Sequence, residues 1–212
     1  MLRLTDTAWR TADREPEFSF YLDEDDTVSQ ATAEGLGVGF TVGPRIMLSE
    51  MWNEAAKRTT GDILMHCGDD IAFRTPGWDT QVEQAFAVWP DRIGLVYGRD
   101  GIHDERLSTH AFVGRPWVEA LGYLVPPYFS SDMNDLWNYE VAGMVGRRQF
   151  LPQVYTEHMH PAVGKGELDL THRERMARGA RDNVEDLYRR LAPERERDVQ
   201  WLREAIGRAA TG

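Results

Sequence analysis

Short apolar runs alternate with stretches of helical spacing along this chain, and this alternation limits the possible folds more than any other feature. Residues 18–22 (FSFYL), 63–67 (ILMHC) and 93–98 (IGLVYG) have the length and composition of buried strands. Between them, residues 46–62 and 77–90 carry apolar side chains at the spacing of an amphipathic helix. Alternating strands and helices predict an α/β fold of three layers, with helices on both faces of a sheet.

The rest of the chain gives weaker signals. Gly61 is expected to cap the helix before it, and a Ser or Asp is expected to cap a helix over residues 130–147. From residue 170 the pattern is Arg/Glu-rich and helical, which predicts a main domain over residues 1–165 and a C-terminal helical extension over 166–212. The other expected elements are a helix over 4–12, a strand or loop over 35–43, a strand over 110–114, a helix over 115–122 and a broken strand over 150–161.

The composition is that of an ordinary folded protein. The 212 residues are 42% hydrophobic, enough for one core, and no apolar run is long enough to span a membrane. The N-terminal residues lack the apolar segment of a secretory signal, so we expect a cytoplasmic protein. The single cysteine, Cys67, excludes an internal disulfide, and its apolar neighbours favour a buried core thiol over a nucleophile.

The formal net charge is −11, and the excess of acids lies in the first 162 residues. An acidic body argues against broad binding to nucleic acid, which needs a basic face, and is compatible with divalent metal ions. Arginines of the C-terminal stretch could still make a local phosphate contact, although such a pattern is more often a solvated helix face. These arginines are Arg173, Arg175, Arg178 and Arg181.

Three expected strands end in acidic or imidazole side chains. Acids occupy residues 23–26, Asp69 and Asp70 follow ILMHC, and His158 and His160 follow the last expected strand. Ligands of open α/β sheets bind at the carboxyl ends of the strands. Each group alone has an ordinary explanation, because Asp pairs are common in turns and histidine pairs occur on surfaces. Together, carboxylates and imidazoles suit Mn²⁺ or a similar divalent ion.

In this order, the segments YLDEDD, GPRIMLSEMWNEAAKRTTGDILMHCGDD, SSDMNDLW and HMH resemble the glycosyltransferases of the GT-A fold, family-2 type. The resemblance covers roughly residues 3–165. It implies a Rossmann-like, nucleotide-sugar-binding GT-A fold with a mixed central sheet. It also implies an inverting enzyme that depends on Mn²⁺ or Mg²⁺ and transfers a sugar from a nucleotide-diphosphate donor, with a UDP-sugar as the expected donor, to an acceptor hydroxyl.

The resemblance implies roles for residues of the metal and nucleotide sites. Asp70 would bind the metal directly, because it ends the segment that stands at the family's Asp-X-Asp motif, where this chain has Gly at the first position. His158 or His160 would complete the metal site. The residues implied in binding the nucleotide-sugar are Asp23, Asp25, Arg45, Asn53 and Asp69.

The candidate catalytic base is Asp132, because Ser131-Asp132 stands at the family's Glu-Asp motif; Asp135, one turn further on, is the alternative. An attacking hydroxyl needs a positioned base, and a helix N-terminus would hold a carboxylate ionised. Asp132 could also be only a helix cap. Trp78 and Trp137 are expected in the core or at its rim rather than as sugar platforms.

Two further functions stay open from the sequence. A nucleotidyltransferase uses the same metal–diphosphate chemistry but normally has a Gly-rich basic loop near the N-terminus, which is not seen here. A non-catalytic nucleotide-sugar-binding protein is suggested by Ser131 in place of Glu. The sequence leaves the acceptor open: a hydroxymethylated pyrimidine in phage-type DNA, a glycan and a small molecule are the candidates, and the acidic body argues against DNA.

Overall fold

The computed structural model describes residues 1–166 and 170–211, which form an α/β fold. The first half contains α1 (Leu2–Thr11), β1 (Ser19–Asp23), α2 (Thr27–Leu36), β2 (Gly39–Gly43), α3 (Leu48–Ala56), β3 (Ile63–Met65), β4 (Ile71–Phe73), α4 (Trp78–Phe86) and β5 (Leu95–Arg99). The second half contains β6 (Ala111–Gly114), α5 (Arg115–Leu121), α6 (Asn134–Val145), β7 (Arg148–His158), α7 (Leu170–Asp182), α8 (Val184–Arg190) and α9 (Ala192–Ala209). Within the described residues, no helix is both long and apolar enough to cross a bilayer.

The strands form two separate sheets. β1 and β2 pair in parallel, and a mixed sheet has the order β3-β6-β5-β7-β4, in which only β5 and β7 run parallel among the described pairs. The predicted α/β class is therefore confirmed, and β1 and β2 are not hydrogen-bonded to the larger sheet. Since β1 belongs to a sheet of two strands and β3 stands at one end of the larger sheet, both are edge strands.

Helices cover both faces of the mixed sheet, because side chains of its strands alternate between two cores. On β5, Leu95 and Tyr97 pack into one apolar cluster, which includes side chains of α5, α6 and α9, whereas Val96 packs into the other, with α1 and α4. A strand buried on both faces needs the continuous apolar run seen in IGLVYG.

The C-terminal helix α9 belongs to the first of these cores. Val199 and Leu202 pack in one cluster with Trp137 of α6. Asp198 is fully buried beside them and accepts hydrogen bonds from Trp137 Nε1 at 2.8 Å and from the Tyr123 hydroxyl. A buried carboxylate is costly without partners, so these two bonds fix α9 to the body of the protein.

Three sequence-based expectations differ from the structure in their details. Helix α3 ends at Ala56 rather than at Gly61, because the Thr59 hydroxyl donates to the Ala56 carbonyl and satisfies the end of the helix. The expected broken strand is one strand, β7, although its pairing with β5 shifts between Gly98 and Arg99. The sequence analysis missed α2 and the three-residue β4.

Candidate functional site

A cavity of about 1440 Å³ is lined by residues of both sheets, including residues of the edge strands β1 and β3. Glu17 bridges the starts of both strands, because its carboxylate accepts from the backbone N–H of Thr60 at 2.8 Å and of Gly61 at 3.2 Å. The two strands therefore start side by side. The residues expected in the site that line this cavity are Asp23, Arg45, Asp69, Asp70, Asp132, Asp135, His158 and His160.

The central contact of the site joins Asp70 and His158. Ile71 of β4 stands opposite His158 of β7 in the antiparallel register, which brings the residue before Ile71 beside the end of β7. The Met159 N–H donates to the Asp70 carbonyl at 2.7 Å. Asp70 Oδ2 consequently lies 3.2 Å from His158 Nε2, although 88 positions separate the two residues.

The environment keeps Asp70 ionised. Burial alone would raise the pKa of this carboxyl, but the hydrogen bond and the charge of His158, with a smaller effect of His110, outweigh it and lower the pKa to about 2. Asp70 is therefore a carboxylate at any physiological pH.

Two residues that the sequence analysis did not select support this end of the cavity. His110 is buried, its ring centroid lies 4.8 Å from that of His158, and neither ring nitrogen has a hydrogen-bond partner within the part of the chain that the structure describes. Asp100 follows β5 and accepts from the backbone N–H groups of Ile102, His103 and Asp104, while its carbonyl accepts from the His158 N–H at 2.9 Å. Asp100 directly follows an apolar strand, and the other acids were selected from the sequence because they also follow apolar strands.

The donor set fits a divalent ion that shares its coordination with a ligand. Within the described residues, no three His, Cys, Asp or Glu side chains converge as a preformed cage for an ion. Asp70 and His158 nevertheless stand 3.2 Å apart, close to the roughly 3.0–3.4 Å that separates two ligands bound to one ion at about 2.1 Å. Mg²⁺ and similar ions commonly use one or two protein ligands, with waters and substrate phosphates completing the shell. His160, whose ring is 5.1 Å from that of His158, lies at the edge of this pair.

A second polar group lies at the end of β1. Arg45 Nε is 3.0 Å from Asp23 Oδ2, and the same guanidinium is within 3.7 Å of Asp25 and 3.3 Å of Glu174 of α7. The structure thus brings together Asp23, Asp25 and Arg45. The second carboxylate oxygen of Asp23, Oδ1, is buried and finds no donor among the described residues. It is an open acceptor at the cavity wall.

Two expected binding residues have other partners. Asn53 is not part of the cavity lining, because its amide accepts from the N–H groups of Leu124 and Val125 and donates to the Val125 carbonyl. The expected role of Asn53 in binding the nucleotide-sugar is therefore wrong: its half-buried amide is satisfied by the backbone of Leu124 and Val125 and holds that loop in place. Asp69 lines the cavity but is exposed, and its carboxylate accepts from the Met1 amino group at 2.8 Å.

The candidate bases lie where the chain enters α6, but neither caps the helix as expected. The helix starts at Asn134, and the preceding residue, Met133, has a left-handed backbone (φ 77°) and makes no side-chain cap. Asp132 is therefore outside the helix, exposed at the cavity, with Oδ2 accepting from the Ser131 hydroxyl at 3.1 Å. Burial raises the pKa of Asp135, and the neighbouring Asp132 carboxylate raises it further.

The remaining selected residues are structural. Trp78 and Trp137 are buried in the two cores, as expected. Burial raises the pKa of Cys67 to about 12, so this thiol is not a nucleophile at neutral pH. His66 is buried as expected but not satisfied, since neither ring nitrogen has a hydrogen-bond partner among the residues that the structure describes.

Neither the comparison with protein-family models nor that with curated proteins finds a match for this chain.

His66 makes the stability of the fold depend on pH. Burial lowers its pKa to about 4, against about 6.5 in the unfolded chain, so the unfolded state binds more protons between these values. The contribution of neutral His66 to the free energy of unfolding is fully present above pH 6.5. It falls as the pH drops toward 4, by up to about 1.4 kcal/mol per pH unit. His66→Leu should reduce the slope of the urea-unfolding free energy between pH 7 and pH 5 by the share of one histidine, because buried His110, whose pKa burial lowers to about 3, keeps its own share. His103→Leu, at an exposed position, should leave the slope unchanged. An unchanged slope in His66→Leu would show that His66 is not buried as a neutral ring.

Proposed function

We propose that this protein is a metal-dependent glycosyltransferase that moves a sugar from a nucleoside-diphosphate donor to an acceptor hydroxyl. One observation carries the proposal: the acids at the end of β1, the Asp pair between β3 and β4, the histidines at the end of β7 and the acids at the start of α6 all line one cavity. These segments are far apart in sequence. Their meeting around a space large enough for a nucleotide-sugar supports a GT-A type of active site.

The nucleoside end of the donor is assigned to the end of β1. Asp23 Oδ1 is an open, buried acceptor, and the N–H of a base or the hydroxyl of a ribose would satisfy it. Arg45 holds the other oxygen of Asp23 and so fixes the orientation of the carboxylate. The expected donor remains a UDP-sugar.

The diphosphate end is assigned to Asp70 and His158, which would hold Mn²⁺ or Mg²⁺ between them. A divalent ion bound there supplies positive charge that stabilises the diphosphate as it leaves. The protein's own part is to keep Asp70 ionised and to fix its distance to His158 through the β4–β7 register.

Asp132 is assigned as the base. It would take the proton of the acceptor hydroxyl while the hydroxyl oxygen bonds to the anomeric carbon and the bond from that carbon to the diphosphate oxygen breaks. A single displacement of this kind inverts the anomeric centre. Asp132 suits the role because it is exposed at the cavity and is oriented by the Ser131 hydroxyl. Asp135, which also lines the cavity, is half-buried.

The proposal predicts that a nucleoside-diphosphate sugar stabilises the protein more with Mn²⁺ than without it. In a thermal-shift panel, Asp70→Asn should lose this Mn²⁺-dependent part, with apparent metal affinity at least about tenfold weaker, because a direct ligand is removed. Asp6→Asn, the same change at a surface ion pair with Arg10, is the matched control and should behave as wild type. Absence of a response to every donor, with and without metal, would contradict the proposed function.

Asp132→Asn should keep donor affinity and slow the reaction by about 10²–10⁴-fold, because it retains the shape of the side chain and removes the proton acceptor. The release of nucleoside diphosphate with water as acceptor measures this without a known acceptor. Asp135→Asn should slow the reaction much less than Asp132→Asn does. If Asp135→Asn abolishes turnover while Asp132→Asn reacts normally, the base is Asp135.

A further inference from the structure

We propose that Arg178 of helix α7 binds the diphosphate of the donor. This inference rests on the proposed function and adds to it a phosphate-binding residue of the chain itself. Arg178 lines the same cavity as Asp70 and Asp132.

Arg178 differs from the other arginines that line the cavity. Arg14 is bound to Asp79, which also accepts from the Arg14 N–H at 3.0 Å, and Arg45 is shared among three carboxylates. Among the described residues, Arg178 makes no ion pair, and its Nε is buried without a hydrogen-bond acceptor. A buried donor without an acceptor costs free energy, so this guanidinium is poised to bind an anion.

Close packing of α7 puts Arg178 at the reacting end of the cavity. Gly179 lies directly over the segment before α6: a Cβ at this position would come 2.7 Å from the Ser131 hydroxyl and 3.5 Å from Asp132 Oδ2. A larger residue would force the Ser131 hydroxyl to move, so α7 packs closely here, and Arg178 is the neighbour of Gly179. One helical turn earlier, Glu174 lines the same cavity, so positions 174 and 178 mark the face of α7 that is turned toward it.

The charge of the cavity requires such a residue. A diphosphate entering among the carboxylates of Asp23, Asp69, Asp70 and Asp132 is repelled by them. A divalent ion at Asp70 offsets part of this repulsion. A guanidinium group offers several N–H donors in a planar fork that matches phosphate oxygens. Among the described residues, Arg178 is the arginine of the cavity that has a buried N–H donor, Nε, without an acceptor. Two acids lie four positions from Arg178 along α7, and both have other arginine partners: Glu174 is 3.3 Å from Arg45, and Asp182 is 2.8 Å from Arg181.

Calorimetric titration with uridine diphosphate and with uridine, both in Mn²⁺, tests this assignment. Arg178→Met keeps the length of the side chain and removes its charge, so affinity for uridine diphosphate should fall by about 10- to 100-fold while affinity for uridine is unchanged. Arg178→Lys, which keeps the positive charge, should lose less affinity for uridine diphosphate than Arg178→Met. Arg181→Met, the same exchange at an exposed position of α7, is the control and should match wild type.

The possible outcomes separate this inference from the proposed function. If Arg178→Met binds uridine diphosphate as tightly as wild type, or loses uridine to the same extent, Arg178 is not the phosphate contact, and the proposed function stands. If the wild-type protein does not bind uridine diphosphate at all, both proposals fail. If Arg178→Met does not fold, Arg178→Lys and Arg178→Gln replace it in the test. An affinity for uridine diphosphate equal to that of the wild type in both variants overturns the inference.

Discussion

The antiparallel register of β4 and β7 is the constraint on which the candidate site depends. It places Ile71 opposite His158, and from this one pairing follow the contact of Asp70 with His158, the ionised state of Asp70 and the spacing that suits a shared ion. A slip of one residue would turn the His158 side chain to the other face of the sheet and separate the pair. The backbone bonds from His158 to the Asp100 carbonyl and from Met159 to the Asp70 carbonyl hold the end of β7 against such a slip.

Charge organises the rest of the cavity. The chain concentrates its acids around the space between the two sheets, although the protein as a whole is already strongly acidic. Such an arrangement is unfavourable on its own, because like charges in a partly desolvated cavity repel one another. It becomes favourable when cations enter. In the proposed function, a metal ion held by Asp70 and His158 would supply part of the positive charge, and Arg178 of α7 and Arg45 of the loop before α3 supply the charge of the protein itself. Helix α7 is thereby part of the cavity wall as well as of the C-terminal extension.

The sequence was sufficient to predict those features that depend on local pattern. The apolar runs that became β1, β3, β5 and β6 were identified, and so were the acids that follow β1 and β3, because strand periodicity and strand-end acids are visible within a few residues. The pairing of Asp70 with His158 could not be read in this way, since it arises from strand register. The start of α6 at Asn134 was missed because it depends on the left-handed backbone of Met133, a conformation uncommon for a bulky side chain. Asn53 was assigned to the ligand by resemblance, whereas its amide is used up by the backbone at Leu124 and Val125.

The central claim is that a divalent ion and a diphosphate meet at Asp70 and His158. A crystal grown with Mn²⁺ and uridine diphosphate, with diffraction collected where manganese scatters anomalously, tests it directly. We expect one strong anomalous peak within bonding distance of Asp70 Oδ2 and His158 Nε2, in contact with both phosphates of the nucleotide. Nucleotide bound in the cavity with no manganese at Asp70, or manganese bound elsewhere with the Asp70–His158 contact intact, would contradict the account.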